Sequence, residues 1–155
     1  MSEKSKDAVG PGVYPPVLFG VVLLSIILQK VFRVASPIPR ATRNIGFPLF
    51  IIGLLLGGSA IKAQAQAGTP VDPHLPTKLL VKTGPYSFSR NPIYLSFSLI
   101  LSGLAFLFNA VWSLPLIPGM LAILDRGMVK PEEEYLERKF GSEYKQYRHK
   151  VRRWI

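Results

Sequence analysis

Between Pro92 and Leu124 the chain runs for thirty-three residues without a charged side chain. A single α-helix of that length would reach roughly 50 Å at about 1.5 Å per residue. The hydrocarbon core of a bilayer is only about 30 Å thick. The run therefore predicts two helices joined by a turn near Phe108, Asn109 and Ala110. Pro115 and Pro118 fall in the second arm and bend it, which membrane helices tolerate when neighbours re-satisfy the freed backbone groups.

Two further apolar runs precede this one. Ala8 to Leu28 is uncharged and most apolar from Val17, and Lys30 and Arg33 beyond it have stems long enough to snorkel to an interface. Acidic and basic residues mix at its start and no small-x-small site follows, so it reads as a span rather than a cleaved signal. Asn44 to Ile61 supplies seventeen apolar or small residues after the asparagine. That is the short end of the about 17–25 residues a spanning helix uses. The expected fold is all-α: one polytopic membrane domain over residues 1–155 with about four transmembrane helices. The spans fall at about 15–34, 44–62, 92–108 and 110–125, the last two forming a hairpin.

Charge orients this layout. The N-terminus, the 62–91 loop and the tail hold fifteen Lys and Arg, against four (Lys30, Arg33, Arg40 and Arg43) on the other side. The positive-inside rule places both termini in the cytoplasm, as expected for a bacterial-type inner membrane. The net charge of +10 is then a membrane asymmetry, and no nucleic-acid partner is expected. The chain has no cysteine, and His74 and His149 lie far apart, so no disulfide, thiolate or metal site is expected.

The tail differs in kind. Pro131 followed by Glu132, Glu133 and Glu134 reads as a helix start, with acids on the positive end of the dipole. Leu136, Phe140, Tyr144, Tyr147 and Val151 recur on one helical face, which Gly141 interrupts or bends. Arg138, Lys139, Lys145, Arg148 and Lys150 occupy the other, so the expectation is an amphipathic cytosolic segment lying on the inner leaflet.

Between the second and third runs, a polar loop broken by Pro70, Pro73 and Pro76 leads through Leu79, Leu80 and Val81 to the stretch Gly84–Tyr94. Asn91 and Pro92 read as cap and first position of a membrane helix. Tyr86 and Tyr94 alone are ordinary interfacial anchors. Joined to Arg90, a capping amide and free helix N–H groups, they form a site for an anionic or carboxylate-bearing molecule with a flat ring. One of Glu132–Glu134 returns to the same side and can accept hydrogen bonds from ribose hydroxyls or an amino group.

"LVKTGPYSFSRNPIYL", a hydrophobic hairpin, and then "EEEYLERKFGSEYKQYRHKVRRWI" together resemble the isoprenylcysteine carboxyl methyltransferase and phospholipid methyltransferase group, over residues 78–153. The resemblance implies an integral-membrane enzyme using S-adenosyl-L-methionine and a lipophilic or small methyl acceptor. It implies that Leu79, Leu80, Val81 and Tyr86 line the cofactor pocket. Asn91, Pro92, Ile93 and Tyr94 hold the cofactor at the helix start, and Glu132 binds its polar end. Arg90 is implied in activity, and Arg90 or Arg126 is a cation able to position a carboxylate or thiolate nucleophile.

This chain has Asn91 where the prenyl-cysteine enzymes have histidine, and Lys150-Val151-Arg152 where they tend to have Arg-Val-Pro. The acceptor is thus open among carboxylates, amines and thiols. Two other readings stand beside it. One is an NADPH-dependent membrane reductase, with Arg152 and Arg153 meeting a 2′-phosphate. The other is a non-enzymatic membrane protein whose basic tail binds lipid or a partner. Gly53, Gly57 and Gly58 offer a seam for a homo-oligomer or for close packing within one chain.

Overall fold

Small residues decide how the two central helices meet. The computed structural model describes residues 14–32, 39–70 and 76–155. Lys4, Lys6, Arg33, Pro73 and His74 lie outside them, as does the start of the first apolar run. Helix α1 is Tyr14–Val31, α2 the single turn Arg40–Arg43, and α3 Gly46–Gln66. Helix α4 is Pro92–Leu107, α5 Ser113–Leu124, α6 Lys130–Phe140 and α7 Ser142–Lys150. The described residues are helical or irregular, without a strand.

Gly46, Gly53, Gly57 and Ala60 recur at near-helical spacing and are the buried positions of α3. They press on α4. A Cβ on Gly53 would sit 2.9 Å from the Ile100 amide nitrogen, and one on Gly57 would sit 2.8 Å from Ser96 Oγ. Close approach of this kind replaces the hydrophobic drive that helices lose in an apolar solvent. The glycine seam is therefore used within the chain at Gly53 and Gly57, while Gly58 faces open space. Gly103 answers from α4: an added methyl would lie 2.6 Å from the Phe50 nitrogen and 2.7 Å from the Gly46 oxygen. Both are backbone atoms and cannot swing away. Gly103→Ala is expected to force the pair apart and cost about 1–3 kcal/mol, read as a lower unfolding temperature in detergent. Gly119→Ala, which meets nothing within 4 Å, serves as the control.

Ser96 and Ser98, inside this apolar packing, spend their hydroxyls on the carbonyls of Ile93 at 2.6 Å and Tyr94 at 3.2 Å. The turn expected near Asn109 is present. Helix α4 ends at Leu107, and Asn109 takes a left-handed φ of 54°, which asparagine tolerates better than most side chains. Helix α1 lies along α5, tied by a buried Ser25–Ser113 hydroxyl pair at 2.5 Å.

The tail corrects the expectation of a fresh helix at Pro131. Helix α5 runs on through a π-helical segment, Asp125–Val129, into α6 without a break. The Lys130 N–H reaches back to the Asp125 oxygen. Pro131 has no N–H to give the ladder, and the wider turn before it absorbs the misfit. Gly141, at φ 51°, then separates α6 from α7.

The face made by Leu136, Phe140, Tyr144, Tyr147 and Val151 forms as expected, but it packs inward against Leu80. It is not free to lie on a membrane, because protein already covers it. The main core joins Tyr94, Ile117, Met120, Leu124, Met128 and Val129, with Trp154 packed against it from the tail.

Among the described residues one helix, Gly46–Gln66, is long and apolar enough to cross a membrane. Helix α4, at 16 residues, spans about 24 Å, and α5 is shorter still, at 12 residues.

Candidate active site

The stretch between α3 and α4 is held by the far end of the chain. Gly84, at φ 60°, opens a 3-10 turn, Gly84–Ser87, that buries Tyr86. The Tyr147 hydroxyl donates to the Tyr86 carbonyl at 2.7 Å. After α7 the backbone extends at Val151, turning the next carbonyls toward the loop. The Arg90 amide donates to the Arg152 oxygen at 3.0 Å. Ser89 Oγ and Asn91 Nδ2 both donate to the Arg153 oxygen, at 3.4 and 3.0 Å.

Asn91 does occupy the cap position of α4, with Pro92 at its first turn, yet its side chain makes no cap hydrogen bond. The amide instead serves the tail, so the expectation of a capping amide facing a ligand is corrected.

Arg90 is almost fully enclosed. Its Nη1 lies 2.9 Å from Glu133 Oε1 and 3.2 Å from the Tyr144 hydroxyl. Glu133 in turn accepts from Arg153 at 2.6 Å, and Arg153 reaches Asp125 at 3.0 Å. The result is a chain of alternating charges from the loop to the π-helical segment. Burial pushes the Tyr144 hydroxyl up to about 12, with Glu133 adding to the shift and Arg90 opposing it. Burial likewise raises Tyr86 and Tyr147. All three stay protonated near neutral pH, so each remains a hydrogen-bond donor.

Beside this network lies a cavity of about 250 Å³ lined by Ile61 and Gln64 of α3, Tyr86, Arg90 and Asn91 of the loop, Pro92, Ile93, Tyr94 and Phe97 of α4, and Glu132 of α6. A narrower space of about 60 Å³, lined in part by Leu79, Leu80 and Val81, shares Gln64, Tyr86, Arg90 and Glu132 with it. Three unlike features converge here. The walls are aromatic and aliphatic. Gln64 Oε1 and Arg90 Nε are buried without a hydrogen-bond partner among the described residues. Glu132, facing the cavity, makes no ion pair among the described residues, and burial raises its carboxyl to about 7, with Glu133 adding to the shift.

Residues 41–143 match the phospholipid methyltransferase family. The chain belongs to it. An uncharacterized protein of Haemophilus influenzae is 42% identical over 64 residues, 41% of this chain and 100% of that relative. No solved structure matches. The family match takes in α3, the loop, the hairpin and α6, and so includes every wall of the larger cavity.

Within this methyltransferase-family chain, Tyr86, Arg90, Asn91, Pro92, Ile93, Tyr94 and Glu132 come together as the motif implies. Leu79, Leu80 and Val81 border the adjoining space. Arg126 does not join them. It is exposed on the π-helical segment, in a separate open depression with Leu121, Lys130 and Trp154. Sequence reasoning missed Gln64, Phe97 and Tyr144 as site residues, and it named Glu133 and Arg153 without their ion pairs. Gln64 had one legible signal: it follows Gly53, Gly57 and Ala60 on the same helical stripe.

Proposed function

We propose that this protein is a membrane methyltransferase that binds S-adenosyl-L-methionine in the cavity between α3, α4 and α6. The Glu132 carboxylate, without an ion-pair partner among the described residues at the polar end of an aromatic cavity, carries this reading. A cationic ligand supplies the charge it lacks, and Tyr86, Tyr94 and Phe97 suit a flat base. At about 250 Å³ the larger cavity falls just below the usual range, roughly 300–1,000 Å³ for ligand pockets, and the space beside Leu79–Val81 extends it.

Bound S-adenosylmethionine supplies an activated methyl group and needs no metal. The chain's own residues do the rest. Glu132 faces the positive charge. Tyr94 and Phe97 keep water from the reacting centre. The network through Glu133 and Tyr144 fixes Arg90 at the wall, so the site is formed before a ligand enters. The acceptor is a lipophilic or small molecule bearing a carboxylate, amine or thiol.

In this reading α1, α3, α4 and the rod formed by α5 and the π-helical segment cross the bilayer. The outward faces of α1 and α3 support it, with Phe19, Leu23, Phe47 and Leu55 all exposed. Both termini and the cavity lie on the cytoplasmic side of a bacterial-type inner membrane.

The reductase reading gains no such support, because the Arg153 side chain is engaged by Glu133 and Asp125 rather than free for a phosphate. Calorimetric titration of the folded protein in detergent with S-adenosylhomocysteine, with NADPH as comparison, tests the proposal. Saturable binding of the first alone is the expected result. Binding of NADPH alone, or of neither, would overturn it.

A further inference from the structure

Gln64 stands at the end of α3 with an amide that makes no hydrogen bond among the described residues. Its Oε1 is buried and unpartnered. It lines both the larger cavity and the narrower one beside it. A buried polar atom without a partner is costly in a finished structure. Its neighbours on the same stripe, Gly53 and Gly57, press so closely on α4 that little freedom is left to move it. The amide is thus fixed in the wall of a space large enough for a ligand, and none of the described residues satisfies its oxygen.

We infer that Gln64 is a ligand-binding residue whose carbonyl accepts a hydrogen bond from an N–H or O–H donor of the bound cofactor. The inference rests on the reading that the cavity holds an S-adenosyl group. That group carries donors of both kinds, on its amino groups and on its ribose hydroxyls. Its positive end is matched by Glu132, which leaves Gln64 to meet a neutral donor. Arg90, the other residue with a buried unpartnered polar atom here, has only donors to offer. The two side chains therefore read opposite hydrogen-bonding character on one ligand.

The test separates binding from stability by their signs. Gln64→Leu keeps the volume and removes the unpaired oxygen, so the free protein unfolds at the same or a higher temperature. Its affinity for S-adenosylhomocysteine falls about tenfold, the loss of one well-buried hydrogen bond. Gln64→Glu retains an acceptor at the same place and binds within about threefold of the parent. If Gln64→Leu binds as tightly as the parent, the assignment of Gln64 is wrong and the cofactor reading stands. A lower unfolding temperature for Gln64→Leu, with weakened binding in both variants, marks a structural role and overturns it as well. If the parent itself binds no S-adenosylhomocysteine, the cofactor reading fails and takes this inference with it.

Discussion

Glu132→Gln is expected to weaken S-adenosylmethionine binding by about 10–100-fold, the worth of one charge-assisted contact, without unfolding the protein. The carboxyl faces the cavity, no cation among the described residues pairs with it, and burial has already raised it to about 7. Removing it costs the fold nothing that the fold uses. The pH behaviour follows from the same shift. A carboxyl raised in the folded state contributes stability that is present below about pH 4.5 and lost as pH rises through about 7. A cationic ligand favours the ionised form, so binding strengthens over that upper range while the stability of the ligand-free protein declines. Both slopes vanish in Glu132→Gln. Thermal unfolding with and without ligand at pH 5.5, 7 and 8.5 reads both at once. Equal slopes in parent and variant would remove Glu132 from the site.

Glu133→Ala carries the larger penalty for folding. Glu133 joins two arginines, with Arg90 at 2.9 Å and Arg153 at 2.6 Å, and only about a tenth of the Arg90 and Glu133 side chains is exposed. Removing one partner of an enclosed ion pair leaves the other charge buried and unmatched, at a cost of about 3–5 kcal/mol. Here Arg90 loses its acidic partner, and Arg153 is left with Asp125 alone. The Arg90 guanidinium keeps only the Tyr144 hydroxyl, and the tail loses its main ionic tie to α6. A fall in unfolding temperature of many degrees is expected, with S-adenosylhomocysteine binding lost in the same variant. Glu134→Ala is the matched control. Glu134 and Arg138 are both more than 70% exposed and 4.0 Å apart, and such pairs contribute about 0–1 kcal/mol. Comparable losses in the two variants would mean that the buried network is not what holds the loop.

The sequence announces some of these features and hides others, for identifiable reasons. The hairpin was legible because an uncharged run too long for one helix has to turn, and Asn109 is the residue in it that best accepts a left-handed backbone. The inward face of α6 and α7 was legible from its spacing. What it packs against was not, because periodicity says that a face is buried and never by what. Pro131 misled for a related reason. Proline tolerates the first turn of a helix, and it equally tolerates a place just after a π-helical widening, and local residues do not separate the two. Asn91 was misread because a capping side chain and one tied to a distant carbonyl share the same residue type before Pro92. In the run Glu132–Glu134, three like residues take three fates. One faces the cavity, one the arginines and one the outside, and only helix phase tells them apart. Arg153, beyond the family match, was legible only as a cation for a phosphate, and its tie to Glu133 and Asp125 was not. Its importance lies in a carbonyl and a guanidinium placed by tertiary packing.

The tie between the loop and the tail also sets an order of events during synthesis. Asn91 and the Arg153 carbonyl that receives its amide are 62 positions apart. At about 5–20 residues per second, the loop emerges several seconds before its acceptor has been made. In that interval α3 and α4 already possess everything their glycine packing requires. The loop beside them has only water for its amide, its hydroxyl and its guanidinium. The nascent chain thus gains its helical frame early and its cavity late.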